Sequence, residues 1–217
     1  MIKEKVEEFL KKETAERDAR MRSGKWNPGA MGQCFRRQYW NREGMAESNP
    51  ASIDTKKIFI RGNLRANFIQ SLFPKVCTEV MICTEHVMGF ADIVDGVVVE
   101  LKSPGAWKFK SVSQKKGESE FIWRARVIGD ECPDYVLQLM TYMYFLNISE
   151  GLLVFIDESF NILEFDVGLD PNVVEDEFER LDGYWDKKEL PAAVPRLYKG
   201  KECNYCQFKD KCQGSIF

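Results

Sequence analysis

Gly89-Phe90-Ala91-Asp92-Ile93-Val94-Asp95-Gly96-Val97-Val98-Val99-Glu100-Leu101-Lys102 is the stretch on which the fold turns. Apolar runs rich in β-branched residues lie on either side of Asp95-Gly96. They predict strands over Phe90–Val94 and Val97–Leu101 joined by a tight turn. The length of that turn decides which side chains meet. A two-residue Asp95-Gly96 loop pairs Val94 with Val97, puts Asp92 on a face with Val99, and turns Glu100 away. A three-residue Val94-Asp95-Gly96 loop pairs Ile93 with Val97 and Asp92 with Val98. Asp92 then shares a face with Glu100 and Lys102, and Val97, Val99 and Leu101 can be buried on the other. That loop needs a left-handed residue at its third position, which Gly96 supplies, so the odd-length loop is expected.

Outward from the hairpin, Val76 to Met88 alternates as a strand with a turn near Thr84-Glu85. Lys56 to Phe73 reads as a helix stopped by Pro74. Tyr135 to Leu146 is a strongly apolar helix, and Leu152–Ile156 with Ile162–Val167 reads as a second hairpin. Asp170-Pro171 starts a helix running to about Lys188. Ile2 to about Met21 reads as a charged helix with Val6, Phe9 and Leu10 as a narrow apolar stripe. Gln33 to Trp40 is compact and aromatic. Ser103 to Pro133 is long, polar and mixed in charge, and reads as a functional loop. The pattern predicts an α/β domain: a central mixed sheet flanked by helices.

The chain has 217 residues, 44% hydrophobic and 30% charged, which suits one domain with a real core and argues against global disorder. No run of about 18 apolar residues is present, so no membrane helix is expected, and the charged start is unlike a secretory signal. A cytosolic protein is expected. A net charge of −3 counts mildly against a nucleic-acid binder, although a local basic patch suffices for binding. Seven cysteines in such a chain point to metal ligation more than to disulfides.

Asp92 and Glu100 are hard oxygen donors suited to Mg²⁺ or Mn²⁺, with the Leu101 carbonyl as a further ligand. Such a metal would lower the pKa of a bound water, and Lys102 would offset charge at phosphorus. The plain alternative is a surface hairpin with solvated charges, because Asp-Gly turns and Glu-x-Lys triplets are common. Gln138 and Tyr142 lie four apart, so they share a helix face. At the end of the chain, Cys203-x2-Cys206-x5-Cys212 can chelate one metal, with Cys34 as a fourth ligand. Four thiolates suit zinc or an iron–sulfur cluster.

The order Gly89-x-x-Asp92, Glu100-x-Lys102, Gln138-x-x-x-Tyr142 resembles the PD-(D/E)xK nuclease superfamily in its RecB-like branch. The resemblance implies catalytic roles for Asp92, Glu100, Lys102, Gln138 and Tyr142. Cys34-Phe35-Arg36-Arg37 with the late cysteines resembles the iron–sulfur nucleases. These include the CRISPR-associated exonucleases of the fourth Cas family and the nuclease domains of AddB-type helicase–nucleases. That implies a 4Fe–4S cluster on Cys34, Cys203, Cys206 and Cys212, dependence on Mg²⁺ or Mn²⁺, and cleavage of single-stranded DNA or DNA ends. It also implies protein partners in a CRISPR adaptation or recombination complex. Residues 1–217 form a single nuclease domain on this reading, with 1–55 and 190–217 as the iron–sulfur clasp and 56–189 as the nuclease core.

One position departs from the family. The helix motif Gly-x-x-x-His is matched by Gly62-Asn63-Leu64-Arg65-Ala66, so Ala66 stands where the family has a metal-binding His. His86, six residues before Asp92, is about 20 Å away along an extended strand and cannot substitute. Slow or absent cleavage with retained DNA binding is therefore expected, and a non-catalytic nucleic-acid-binding or assembly subunit is the rival reading. A zinc-stabilised interaction protein is a third. A single strand would be gripped by cations and stacked aromatics, for which Arg36, Arg37, Arg61, Arg65, Lys108, Lys110, Trp123 and Arg124 are the candidates.

Overall fold

A computed structural model describes residues 1, 2, 4, 5, 8, 9, 12 and 23–213. The helix expected over 2–21, with Val6 and Leu10, falls mostly outside them. From there the chain forms α1 (Phe35–Glu43), α2 (Ile53–Gln70), β1 (Thr78–Cys83), β2 (Met88–Asp95) and β3 (Val97–Lys102). After these come α3 (Ala106–Val112), α4 (Glu120–Arg126), α5 (Pro133–Leu146), β4 (Glu150–Ile156), β5 (Ile162–Gly168), α6 (Pro171–Asp186) and α7 (Lys209–Gln213).

The hairpin turns on Gly96. Asp95 pairs with Val97, Val94 with Val98 and Ile93 with Val99. The loop is odd, but its centre lies one residue later than expected: Ile93 faces Val99, not Val97. The same register sets Asp92 level with Glu100 rather than Val98. Parity is unchanged, and parity decides which face a side chain takes. Gly96 has φ +73°, the left-handed conformation that lets so short a loop close. A Cβ built on Gly96 meets nothing within 4 Å, so a substitution there costs only backbone strain. Gly96→Ala is expected to lose about 1 kcal/mol in urea unfolding, with the fold intact.

The sheet order is β1-β2-β3-β4-β5. The β3–β4 pair is parallel and the other pairs are antiparallel. A parallel pair needs a long crossover, and the stretch from Ser103 to Leu146 is that crossover. Its first part, expected as a loop, carries α3, α4 and a π turn at Val127–Glu131. Both helices are seven residues long, too short for a clear periodic signal. They are held from inside. Val112 and Val127 are fully buried, and the Trp123 indole donates to the Val112 carbonyl at 2.7 Å.

Two apolar layers sandwich the sheet. On one face α5 buries Leu137, Leu139, Met140 and Met143 over Val98, Leu153, Phe155 and Phe165. On the other, Ala66, Ile69 and Phe73 pack on Ile93, Val99, Leu101, Val154 and Ile156. At about 1.5–3 kcal/mol for each large side chain removed from water, these layers dominate the favourable side of folding. No helix among the described residues is long and apolar enough to cross a membrane.

The early and late described segments, around Cys34 and Cys206, do meet, but not through a four-cysteine centre. Among the described residues no group of three or more His, Cys, Asp or Glu is placed to hold a metal ion. Cys34, Cys203 and Cys206 lie near enough to act on one another electrostatically, and Cys206 and Cys212 pack against the same aromatic cluster. Cys34 is buried at the N-terminus of α1, and burial raises its thiol pKa. Cys206 accepts the Phe208 amide at 3.4 Å and is also raised by burial, Cys203 is exposed, and Cys212 receives the Arg36 guanidinium at 3.8 Å. These segments are tied instead by the Glu202 carboxylate, which takes the Cys34 amide at 2.9 Å. The Trp40–Phe208 edge contact at 5.4 Å and the pairing of Gln207 with Arg37 and Asn41 complete the tie.

Candidate active site

The β2–β3 ladder stops at Ile93–Val99, and upstream of that pair β2 peels away from β3. The Leu101 amide, left without a registered partner on β2, donates to Asp92 Oδ2 at 2.7 Å. Asp92 is thus fixed by the backbone that the opening exposes. Burial, then the Glu100 charge, push its carboxyl up to about 8.

Glu100 is 3% exposed. Its Oε1 accepts the Lys102 ammonium at 2.6 Å, and its Oε2 is buried with no hydrogen-bond partner among the described residues. Burial raises this carboxyl, opposed by Lys102. The Lys102 ammonium also donates to Gln138 Oε1 at 2.8 Å and sits 4.5 Å from the centre of the Tyr135 ring. Tyr142, one turn after Gln138, is buried. Burial, and then the Glu100 charge, raise its phenol, while hydrogen bonds with Gln138 and the Phe90 backbone oppose the shift. Asp92, Glu100, Lys102, Gln138 and Tyr142 therefore form one electrostatically coupled group between β2, β3 and α5.

This arrangement does not fit the expected Mg²⁺ or Mn²⁺ site. Asp92 and Glu100 are not joined by a third such donor in ligating geometry among the described residues. The Lys102 ammonium already takes one oxygen of Glu100, and Leu101 enters the site through its amide, as a donor to Asp92. Ala66 is half-buried in the apolar layer beneath Ile93 and Leu101. His86 lies in the β1–β2 turn, 3.9 Å from Asp182.

The candidate DNA-binding residues separate into four places. Arg36 and Arg37 hold the C-terminal segment through Pro191 and Gln207. Arg61 and Arg65 both meet Glu158, and Arg65 also donates to Ser103 Oγ at 2.5 Å, next to Lys102. Lys108 donates to the Glu131 carbonyl at 2.5 Å and Lys110 is exposed on α3. Trp123 packs on Phe165, and Arg124 reaches Glu164 and Asp166 of β5, at the far sheet edge.

Sequence reasoning missed four neighbours. Tyr135 and Asp134 open α5 beside Lys102. Gln70 and Glu79 belong to α2 and β1, and nothing in their spacing links them to Asp92. A further missed element is the Pro28–Ala30 turn, packed against β2 and Tyr142. A Cβ on Gly89 would stand 2.8 Å from Pro28 Cδ and 3.2 Å from Tyr142 Cε1. Gly89 therefore lets three segments close over the site. Gly89→Ala is expected to cost about 1–3 kcal/mol by overpacking, measured by urea unfolding. A loss under about 0.5 kcal/mol would mean that the Pro28 turn simply yields.

No protein-family model and no curated protein matches the chain. Solved structures do. The crystal structure of SSO0001 aligns with TM-score 0.60 and 21% identity over 98% of this chain and 96% of its own. LHK-Exo in complex with dAMP aligns with TM-score 0.50 and 14% identity over 90% and 96%; LHK-Exo is an alkaline exonuclease from Laribacter hongkongensis. With no set of metal-binding cysteines among the described residues, these likenesses do not extend to the iron–sulfur branch or to the CRISPR-associated exonucleases. They are likenesses of fold alone.

Proposed function

We propose that this chain hydrolyses phosphodiester bonds of DNA, acting on single strands or strand ends. The observation that carries the reading is the buried, unpartnered Oε2 of Glu100 beside the Lys102 ammonium. A buried polar atom without a partner is rare in a native fold and calls for a functional reason. Here it offers an acceptor for an attacking water, while the ammonium offers charge to a phosphate oxygen.

The reaction on this reading is a displacement at phosphorus. The water oxygen bonds to phosphorus as its proton passes to Glu100. The bond from phosphorus to the leaving sugar oxygen breaks, and that oxygen takes a proton from solvent. Lys102 neutralises charge that builds on the phosphoryl oxygens. Gln138 and Tyr135 hold the ammonium in place, and Asp92 keeps the strand opening in shape through Leu101. The resemblance to a fold that includes an exonuclease crystallised with dAMP supports a nucleic acid as substrate.

The test is direct. End-labelled single strands and blunt duplexes are incubated with the purified chain in nuclease buffer, and products are resolved by length. Progressive shortening of the single strand is expected. An intact substrate after long incubation at excess protein would remove the hydrolase reading.

A further inference from the structure

Asp92 is held by a second device on the far side of its own backbone. Gln70, the last residue of α2, is 8% exposed. Its side-chain amide donates to Glu79 Oε1 at 2.8 Å and to the Asp92 carbonyl at 3.2 Å. Glu79 has φ +50°, a left-handed conformation that a residue with a side chain adopts only when its surroundings insist. The β1–β2 ladder registers Thr78 with Ile93 and Val80 with Ala91, and the Glu79–Asp92 pair between them is missing. So the one interrupted rung lies at the residue that faces the site, and a buried amide from another element spans it.

We infer that Gln70 and Glu79 form a clamp that sets the angle at which Asp92 leaves the sheet, and that Gln70 is a positioning residue for the reaction. An intact rung would return the Asp92 backbone to the β1 ladder and turn its carboxylate away from the Leu101 amide. Gln70 prevents this by taking the carbonyl of Asp92, and Glu79 fixes the Gln70 amide so that its second hydrogen stays on that carbonyl. The α2 helix thereby contributes to the site one turn beyond Ala66. The Glu79 charge also bears on Asp92 and Glu100, raising both, so the clamp and the two site carboxyls share one field.

This inference rests on the hydrolase reading, and its test separates the two. Gln70→Ala should lower kcat ten- to a hundredfold with KM within twofold, because misplacement of about 1 Å near the reacting atoms costs that much. Glu79→Ala should do the same. The double variant should be no worse than either single one, since both remove the same clamp. Glu79→Gln keeps an oxygen acceptor and should recover most of the rate. Unchanged kcat in both alanine variants, with Asp92→Ala dead, overturns the clamp and leaves the hydrolase reading standing. Full activity in Asp92→Ala overturns the site itself. Additive losses from the two alanine changes also overturn the clamp. If Gln70→Ala does not fold, Glu79→Gly decides the matter: it accepts φ +50° without strain and removes only the acceptor.

Discussion

Lys102→Met is expected to lower kcat/KM on single-stranded DNA about a thousandfold, at the upper end of what one preorganised charge contributes. Two losses combine. The phosphoryl oxygens lose the cation that faces them. Glu100 loses the hydrogen bond at its Oε1 and is left in a site whose burial already raises its pKa, so it takes a proton and can no longer accept one from water. Holding a buried carboxyl protonated at neutral pH is itself unfavourable relative to the unfolded chain, so the unfolding free energy should also fall, by about 3–5 kcal/mol, the range for removing one partner of a buried pair. Lys102→Arg should not rescue the rate. The ammonium is met by Glu100 Oε1, Gln138 Oε1 and the Tyr135 ring from three directions, and a planar guanidinium cannot satisfy all three. Steady-state kinetics with a labelled single strand measures both variants. Lys102→Met activity within tenfold of wild type would remove the ammonium from the chemistry.

The hairpin shows why part of this site was legible in the sequence. Strand parity puts Asp92 and Glu100 on one face for any odd loop, and it survives an error in where the loop is centred. Helix spacing likewise places Gln138 and Tyr142 together without knowledge of the fold. What sequence could not give depends on packing between distant elements. Gln70 meets Asp92 because α2 ends against β1, and no local period encodes that contact. The cysteines failed for the opposite reason. Their spacing permits a metal centre, but spacing says nothing of where each sulfur points, and in the fold Cys34, Cys203 and Cys206 come near one another without being placed to hold a metal ion. The stretch from Ser103 to Pro133 reads as a loop because its two short helices are held by Trp123 and Val112 and not by local propensity.

Glu202→Ala is expected to destabilise the chain by about 3–5 kcal/mol, the range for removing one partner of a buried charged group. Glu202 is 2% exposed and stands where the early and late segments cross. Its Oε1 accepts the Cys34 amide at 2.9 Å, which satisfies an otherwise free N–H at the start of α1. Its Oε2 accepts the Arg196 and Leu197 amides at 2.9 and 3.3 Å. The Arg37 guanidinium lies 3.9 Å away and offsets its charge. Truncation would leave three backbone donors without this acceptor and Arg37 without this partner, at about 1–3 kcal/mol for each donor that water cannot reach. Glu202→Gln keeps one oxygen and should lose about half as much. Urea unfolding gives the magnitude, and hydrogen exchange gives the place: protection should fall first at residues 34–38 and 191–212, with β3 and β4 unaffected. A loss under 1 kcal/mol would mean that the aromatic contact of Trp40 with Phe208 and the Gln207 hydrogen bonds suffice to join the two segments, and that Glu202 is a passenger at the crossing.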